Sequence, residues 1–118
     1  CVLSSLPALR CLHIEGVEME PLENLSCLLA LRQLSVAESF LSARSYSEIS
    51  HLSALATLDL SWCETATDHS VLKLCRLCNL RRLNLAWCTQ VSDISVQHMT
   101  TLTRLEYLNL ENTQVSHG

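Results

Sequence analysis

The chain has 118 residues, of which 48% are apolar and 25 are leucine, with two Gly, two Pro and 4% aromatics. That composition excludes a disordered chain, and so few Gly and Pro residues argue against a hairpin-rich β-sandwich, a Gly-loop nucleotide fold or a collagen-like chain. Eight basic and twelve acidic residues leave a net charge of −4, the reverse of the balance that nucleic-acid binding requires.

Taken in chain order, Val2, Leu3 and Leu6 look like the tail of an earlier helix. The pattern L-x-x-L-x-L then recurs at Leu9-Leu12-Ile14, Leu31-Leu34-Val36, Leu55-Leu58-Leu60, Leu80-Leu83-Leu85 and Leu105-Leu108-Leu110. It predicts strands near 11–15, 33–37, 57–61, 82–86 and 107–111, in which Leu58 and Leu60 face inward while Thr57, Asp59 and Ser61 face outward. Apolar residues nine, six and three positions ahead of each later repeat predict a short helix with one inward face. These residues are Leu22, Leu25, Leu28; Tyr46, Ile49, Leu52; Val71, Leu74, Leu77; and Val96, Met99, Leu102. Glu18 to Pro21 is expected to form a tighter turn, with Pro21 near a first helical position. In the turns from Cys63 to Asp68 and from Cys88 to Asp93, either Asp68 and Asp93 or the preceding Thr67 and Ser92 are suited to cap the next helix.

The repeats follow one another at 22, 24, 25 and 25 residues. No single unit can bury its leucines, so neighbours must stack, with a parallel sheet on the concave side and helices on the convex side. The expected α/β chain is one domain, 1–118, cut from a longer array. It ends at Ser116-His117-Gly118, where another helix would start, and neither end has a polar cap, so self-association through the ends is expected.

The repeat resembles the cysteine-containing class of leucine-rich repeats, L-x-x-L-x-L-x-x-C-x-x-[IV]-[ST]-D-x-x-[LV]-x-x-[LM]-x-x-L. Leu80 to Leu102 fits it fully, and Leu55 to Leu77 fits with Ala66 in place of Ile or Val. The last unit has Thr113 at the cysteine position, and the first two have Val17 and Ser39. The resemblance implies a right-handed solenoid, or horseshoe arc, that binds proteins on its concave sheet. Similar repeats occur in F-box-type ubiquitin-ligase substrate receptors, in cell-cycle regulators and in protist regulators of adenylyl cyclase. No F-box or RING segment is present here to choose among them.

Outward strand residues should line up in columns. One reads Cys11, Gln33, Thr57, Arg82, Tyr107; the next His13, Ser35, Asp59, Asn84, Asn109; the third Glu15, Ala37, Ser61, Ala86, Glu111; and the edge column Gly16, Glu38, Trp62, Trp87, Asn112. Parallel strands lie about 4.8 Å apart, so Trp62 and Trp87 should be neighbours. Paired tryptophans on the rim of a polar face suit a protein-binding hot spot, or they pack over the corner and shield Cys63 and Cys88; the two roles are compatible. Asp59, Asn84 and Asn109 form either a polar ladder for a partner or a solvated row. The candidate partner-binding residues are Glu38, Asp59, Trp62, Arg82, Asn84, Trp87, Tyr107 and Asn109.

Of the seven cysteines, Cys63 and Cys88 occupy matching positions and read as structural. Cys75 and Cys78 have the C-x-x-C spacing of a thiol-redox or zinc site, but the helix register points Cys75 outward and no second pair follows. His13, His51, His69, His98 and His117 share no i, i+4 face, and none sits beside a nucleophile. The cluster of Lys73, Arg76, Arg81 and Arg82 reads as a solvated helix-to-strand connection in preference to a phosphate site. The longest apolar run, Cys27 to Leu31, is far short of the ~20 residues that span a bilayer. The expectation is therefore a soluble, cytoplasmic or nuclear, non-enzymatic protein-recognition scaffold without cofactor or metal, with a thiol or zinc activity at Cys75 and Cys78 as the alternative.

Overall fold

The computed structural model describes residues 9–14 and 29–115. Five strands, β1 (Cys11–His13), β2 (Gln33–Ser35), β3 (Thr57–Asp59), β4 (Arg82–Asn84) and β5 (Tyr107–Asn109), lie side by side in chain order. All four pairings are parallel, and Cys11, Gln33, Thr57, Arg82 and Tyr107 stand in one register. The residue spacing of that register is the spacing of the sequence repeat.

Three short helices follow β2, β3 and β4: α1 (Ala43–Ile49), α2 (Asp68–Leu74) and α3 (Asp93–His98), the last running into a 3-10 turn at Met99–Thr101. Helices of six or seven residues are too short to persist alone, so packing must hold them. The apolar triads supply that packing. Tyr46, Ile49, Leu52, Val71, Leu74 and Leu77 are at most 1% exposed, and they share a single core with strand residues Leu34, Leu58 and Leu83. At the two edges of the sheet Leu12, Leu108 and Leu110 are only half-buried.

Each helix begins at a hydroxyl. Ser42, Thr67 and Ser92 adopt extended backbone and accept a hydrogen bond from the amide of Ser45, Ser70 and Ile94 respectively. Of the two pairs considered for capping, Thr67 and Ser92 therefore serve within their own helices. Asp68 reaches across to the next repeat instead. Its carboxylate accepts from the Ser92 amide at 2.9 Å, the Ser92 hydroxyl at 2.6 Å and the Ser95 hydroxyl at 2.5 Å. Burial pushes this carboxyl up, but those hydrogen bonds together outweigh it and hold Asp68 below the usual carboxylate range.

The strands end two residues earlier than the sequence pattern suggests, although the ladder continues past them. Leu60 donates its amide to Asn84 and Trp62 to Ala86, with equivalent bonds from Leu85 to Asn109 and Trp87 to Glu111. A turn in each repeat bends the chain there.

One expected orientation is corrected. Cys75 is 8% exposed, because it caps the C-terminus of α2 against the following repeat, where its carbonyl accepts from the Thr101 hydroxyl at 2.9 Å. The expected elements around Val2 to Leu6, Glu18 to Leu28 and Ser116 to Gly118, with Glu15, Gly16, Val17 and His117, lie outside the described residues.

Candidate functional site

The site is built where the strands turn. Asp59 accepts the amide of Ser61 on Oδ1 at 2.9 Å, Asn84 that of Ala86 at 3.0 Å and Asn109 that of Glu111 at 2.9 Å. This short side chain satisfies an amide two residues on, which ends the strand and starts a turn. The turn then closes through amide-to-carbonyl bonds from Cys63 to Leu60, Cys88 to Leu85 and Thr113 to Leu110. Asp59, Asn84 and Asn109 thus stand in one row across β3 to β5, with one oxygen of each residue committed to the chain's own backbone.

The third residue of each turn has left-handed backbone: Glu38 at φ 59°, Trp62 at 62°, Trp87 at 61° and Asn112 at 58°. Gly or Asn adopts that conformation readily, whereas another L-residue gives up about 1–2 kcal/mol. Asn112 fits the rule. Glu38, Trp62 and Trp87 do not, and the latter two are the chain's only tryptophans. Their rings stack on each other with centroids 4.4 Å apart and planes 8° apart, while 48% and 38% of each residue stays exposed. Sequence reasoning placed the pair correctly but missed the backbone conformation. The signal was in the edge column, where Gly16 and Asn112 stand at the position of the tryptophans.

The residues that follow the tryptophans, Cys63 and Cys88, are fully buried. Their thiols donate to the carbonyls of Val36 at 3.2 Å and Leu60 at 3.0 Å, one repeat back in each case. Burial pushes Cys63 up to about 11 and Cys88 up to about 12, so both stay protonated donors at neutral pH. Thr113 departs from the pattern, donating its hydroxyl to Leu110 of its own repeat at 2.7 Å.

The outward face of the sheet carries the strand candidates. The Arg82 guanidinium stands 4.7 Å from the centroid of the Tyr107 ring, and Asn109 donates to the Tyr107 hydroxyl at 3.5 Å. Two open depressions of about 240 and 220 Å³ share Thr57, Asp59 and Arg82; the first also takes in His13, Gln33 and Ser35, the second Asn84 and Tyr107. The face brings together Asp59, Arg82, Asn84, Tyr107 and Asn109, and the turns add Glu38, Trp62 and Trp87 along its edge.

The remaining sequence candidates do not assemble. Burial raises the Cys75 thiol, the opposite of an activated nucleophile, while the exposed Cys78 thiol donates to the Arg76 carbonyl at 3.4 Å. Among the described residues no group of three or more His, Cys, Asp or Glu is placed to hold a metal ion, and no helix is long and apolar enough to cross a membrane. The Lys73, Arg76, Arg81 and Arg82 cluster divides, with Arg81 pairing with Glu106 at 3.3 Å and Arg82 lying on Tyr107.

No family model matches the chain, and no curated protein does. Among solved structures, it resembles an internalin (inlF) from Listeria monocytogenes at 16% identity and a TM-score of 0.46, over 97% of this chain and 45% of that one. The chain thus spans less than half the length of that protein.

Proposed function

We propose that this chain is a protein-recognition scaffold, a segment of an arc-shaped repeat array whose outward sheet face binds a protein partner. Strands stack about 4.8 Å apart, whereas packed helices need 8–10 Å between axes, so a sheet and a helix row in step favour an arc with the sheet inside. The observation that carries the reading is the exposed Trp62–Trp87 stack on left-handed backbone. Strain held at an exposed aromatic pair has no use in the core, and large rigid rings beside polar groups are what interface hot spots use. Arg82, Tyr107, Asp59, Asn84, Asn109 and Glu38 supply the polar surround.

The finer setting is a larger regulator, in ubiquitin-ligase substrate recognition or in signalling such as adenylyl cyclase control. It rests on the resemblance of the cysteine-containing repeats, and an F-box, RING or cyclase-linked segment in the same gene product would decide it. The half-buried leucines at the sheet edges support self-association of the isolated chain, for which sedimentation should show concentration-dependent oligomers; a monomer at all concentrations contradicts that part.

Parallel affinity capture with the wild-type chain, with Trp62→Gly/Trp87→Gly and with Leu72→Ala on the helical side tests the main reading. Proteins retained by wild type and Leu72→Ala but lost from the tryptophan variant are the expected result. Equal capture by all three would place binding elsewhere.

A further inference from the structure

At the opposite edge of the sheet, where the strands begin, the residue before each of β1 to β5 is Arg10, Arg32, Ala56, Arg81 and Glu106 in turn. Backbone bonds from the Ala56 amide to Arg32 and from the Arg81 amide to Ala56, each 2.8 Å, stack these positions one per repeat. Ala56 therefore leaves a one-repeat gap, and the backbones of Arg32 and Arg81 stand about 9.6 Å apart across it. The gap opens into a depression of about 270 Å³ lined by Arg32, Ala54, Ala56, Asn79, Arg81 and Arg104. Three of the seven arginines of an acidic chain converge on two alanines.

The arginines are held or weakly engaged. Asn79 donates to the Ser53 carbonyl at 2.9 Å and accepts from Arg104 Nη1 at 3.0 Å, which fixes the Arg104 fork at the rim. Arg81 meets Glu106 through one 3.3 Å contact between residues whose side chains are 55% and 65% exposed, a pair worth little in water. Arg32 forms no ion pair with a described residue.

We infer that this groove binds the phosphate of a phosphorylated side chain on the partner protein, an inference that rests on the protein-recognition reading above. One carboxylate occupies one guanidinium fork, and Glu106 already offers that to Arg81. A phosphate monoester carries about −1.5 to −2 charge and three acceptor oxygens, which matches several forks facing one space. Arg82, next to Arg81, lines both depressions of the sheet face, so a partner lying on that face passes the groove.

The test is titration of the 118-residue chain with the capped peptides Ala-Ala-phosphoserine-Ala-Ala and Ala-Ala-Glu-Ala-Ala, and with inorganic phosphate, read on the arginine Nε–H resonances. Saturable shifts at Arg32, Arg81 and Arg104 with the phosphopeptide are expected, with the Glu peptide at least about tenfold weaker. Arg32→Ala and Arg104→Ala should each weaken binding about tenfold, the equivalent of one charge-assisted hydrogen bond, and Arg76→Ala, outside the groove, should leave it unchanged. Absent shifts, shifts indifferent to Arg32→Ala and Arg104→Ala, or inorganic phosphate binding as tightly as the phosphopeptide would each overturn the proposal. The probe peptides contain nothing for the tryptophan corner to grip, so failure here leaves the capture result at Trp62 and Trp87 standing.

Discussion

Trp62 and Trp87 stack with their planes 8° apart, and each holds its ring there from a left-handed backbone position that a glycine would occupy without cost. Register explains the geometry. The two residues stand one repeat apart, and the amide of Trp62 donates to Ala86 while that of Trp87 donates to Glu111, so the stack is bolted to the end of the ladder. The corner thus gives up backbone stability to hold two stacked rings partly in solvent.

A measurable inversion follows. Gly normally destabilises relative to Ala by about 0.5–1 kcal/mol within regular structure. At position 62 both substitutions lose the stack, but only Gly relieves the left-handed strain. Trp62→Gly should therefore exceed Trp62→Ala in stability by about 1 kcal/mol in urea denaturation. An alanine variant as stable as the glycine one would show that the corner is unstrained.

Asp68 should act as a link between repeats. Asp68→Ala strands the hydroxyls of Ser92 and Ser95 and should cost about 1–3 kcal/mol. Because folding lowers the carboxyl's pKa, its contribution is full above the unfolded value of about 3.9 and is lost as pH falls through the lower folded value. Melting temperatures of wild type and variant should therefore differ at neutral pH and converge in acid. A difference that persists at acid pH would assign Asp68 a role independent of its charge.

The buried thiols predict the opposite pH dependence. Cys63 and Cys88 are raised to about 11 and 12 in the fold, so the unfolded chain releases these protons first as pH climbs past about 8.5. Stability should be retained below that pH and decline as the pH rises through the folded values. Tyr46, raised by burial above its usual value, adds to the same decline, so comparison with Cys63→Ala/Cys88→Ala isolates the thiol part. Native-state labelling with a disulfide reagent should modify Cys11 and Cys78 and spare Cys63 and Cys88 until unfolding. Rapid labelling of Cys63 or Cys88 in the native state would contradict their burial.

Leucine spacing carries the fold because each repeat must present the same inward face, and the observed register reproduces that spacing from β1 to β5. The tryptophan stack is legible for the same reason. What escapes is set by local conformation and by the next repeat. The φ of Trp62 depends on turn closure from Cys63 to Leu60, and the tryptophan itself does not indicate it; only Gly16 and Asn112 in the same column do. Asp59, Asn84 and Asn109 look like solvent-facing ligands, yet each ends its own strand. Cys75 is buried by a neighbouring repeat that helical periodicity within α2 does not describe.

The most direct test of the account is the dissociation constant of a captured partner for wild type, Trp62→Gly and Trp87→Gly, with urea denaturation run on the same samples. Each variant should stay folded and bind about 30-fold more weakly, a loss of about 2 kcal/mol typical of a hot-spot side chain. Folded variants that bind the partner with wild-type affinity would contradict it.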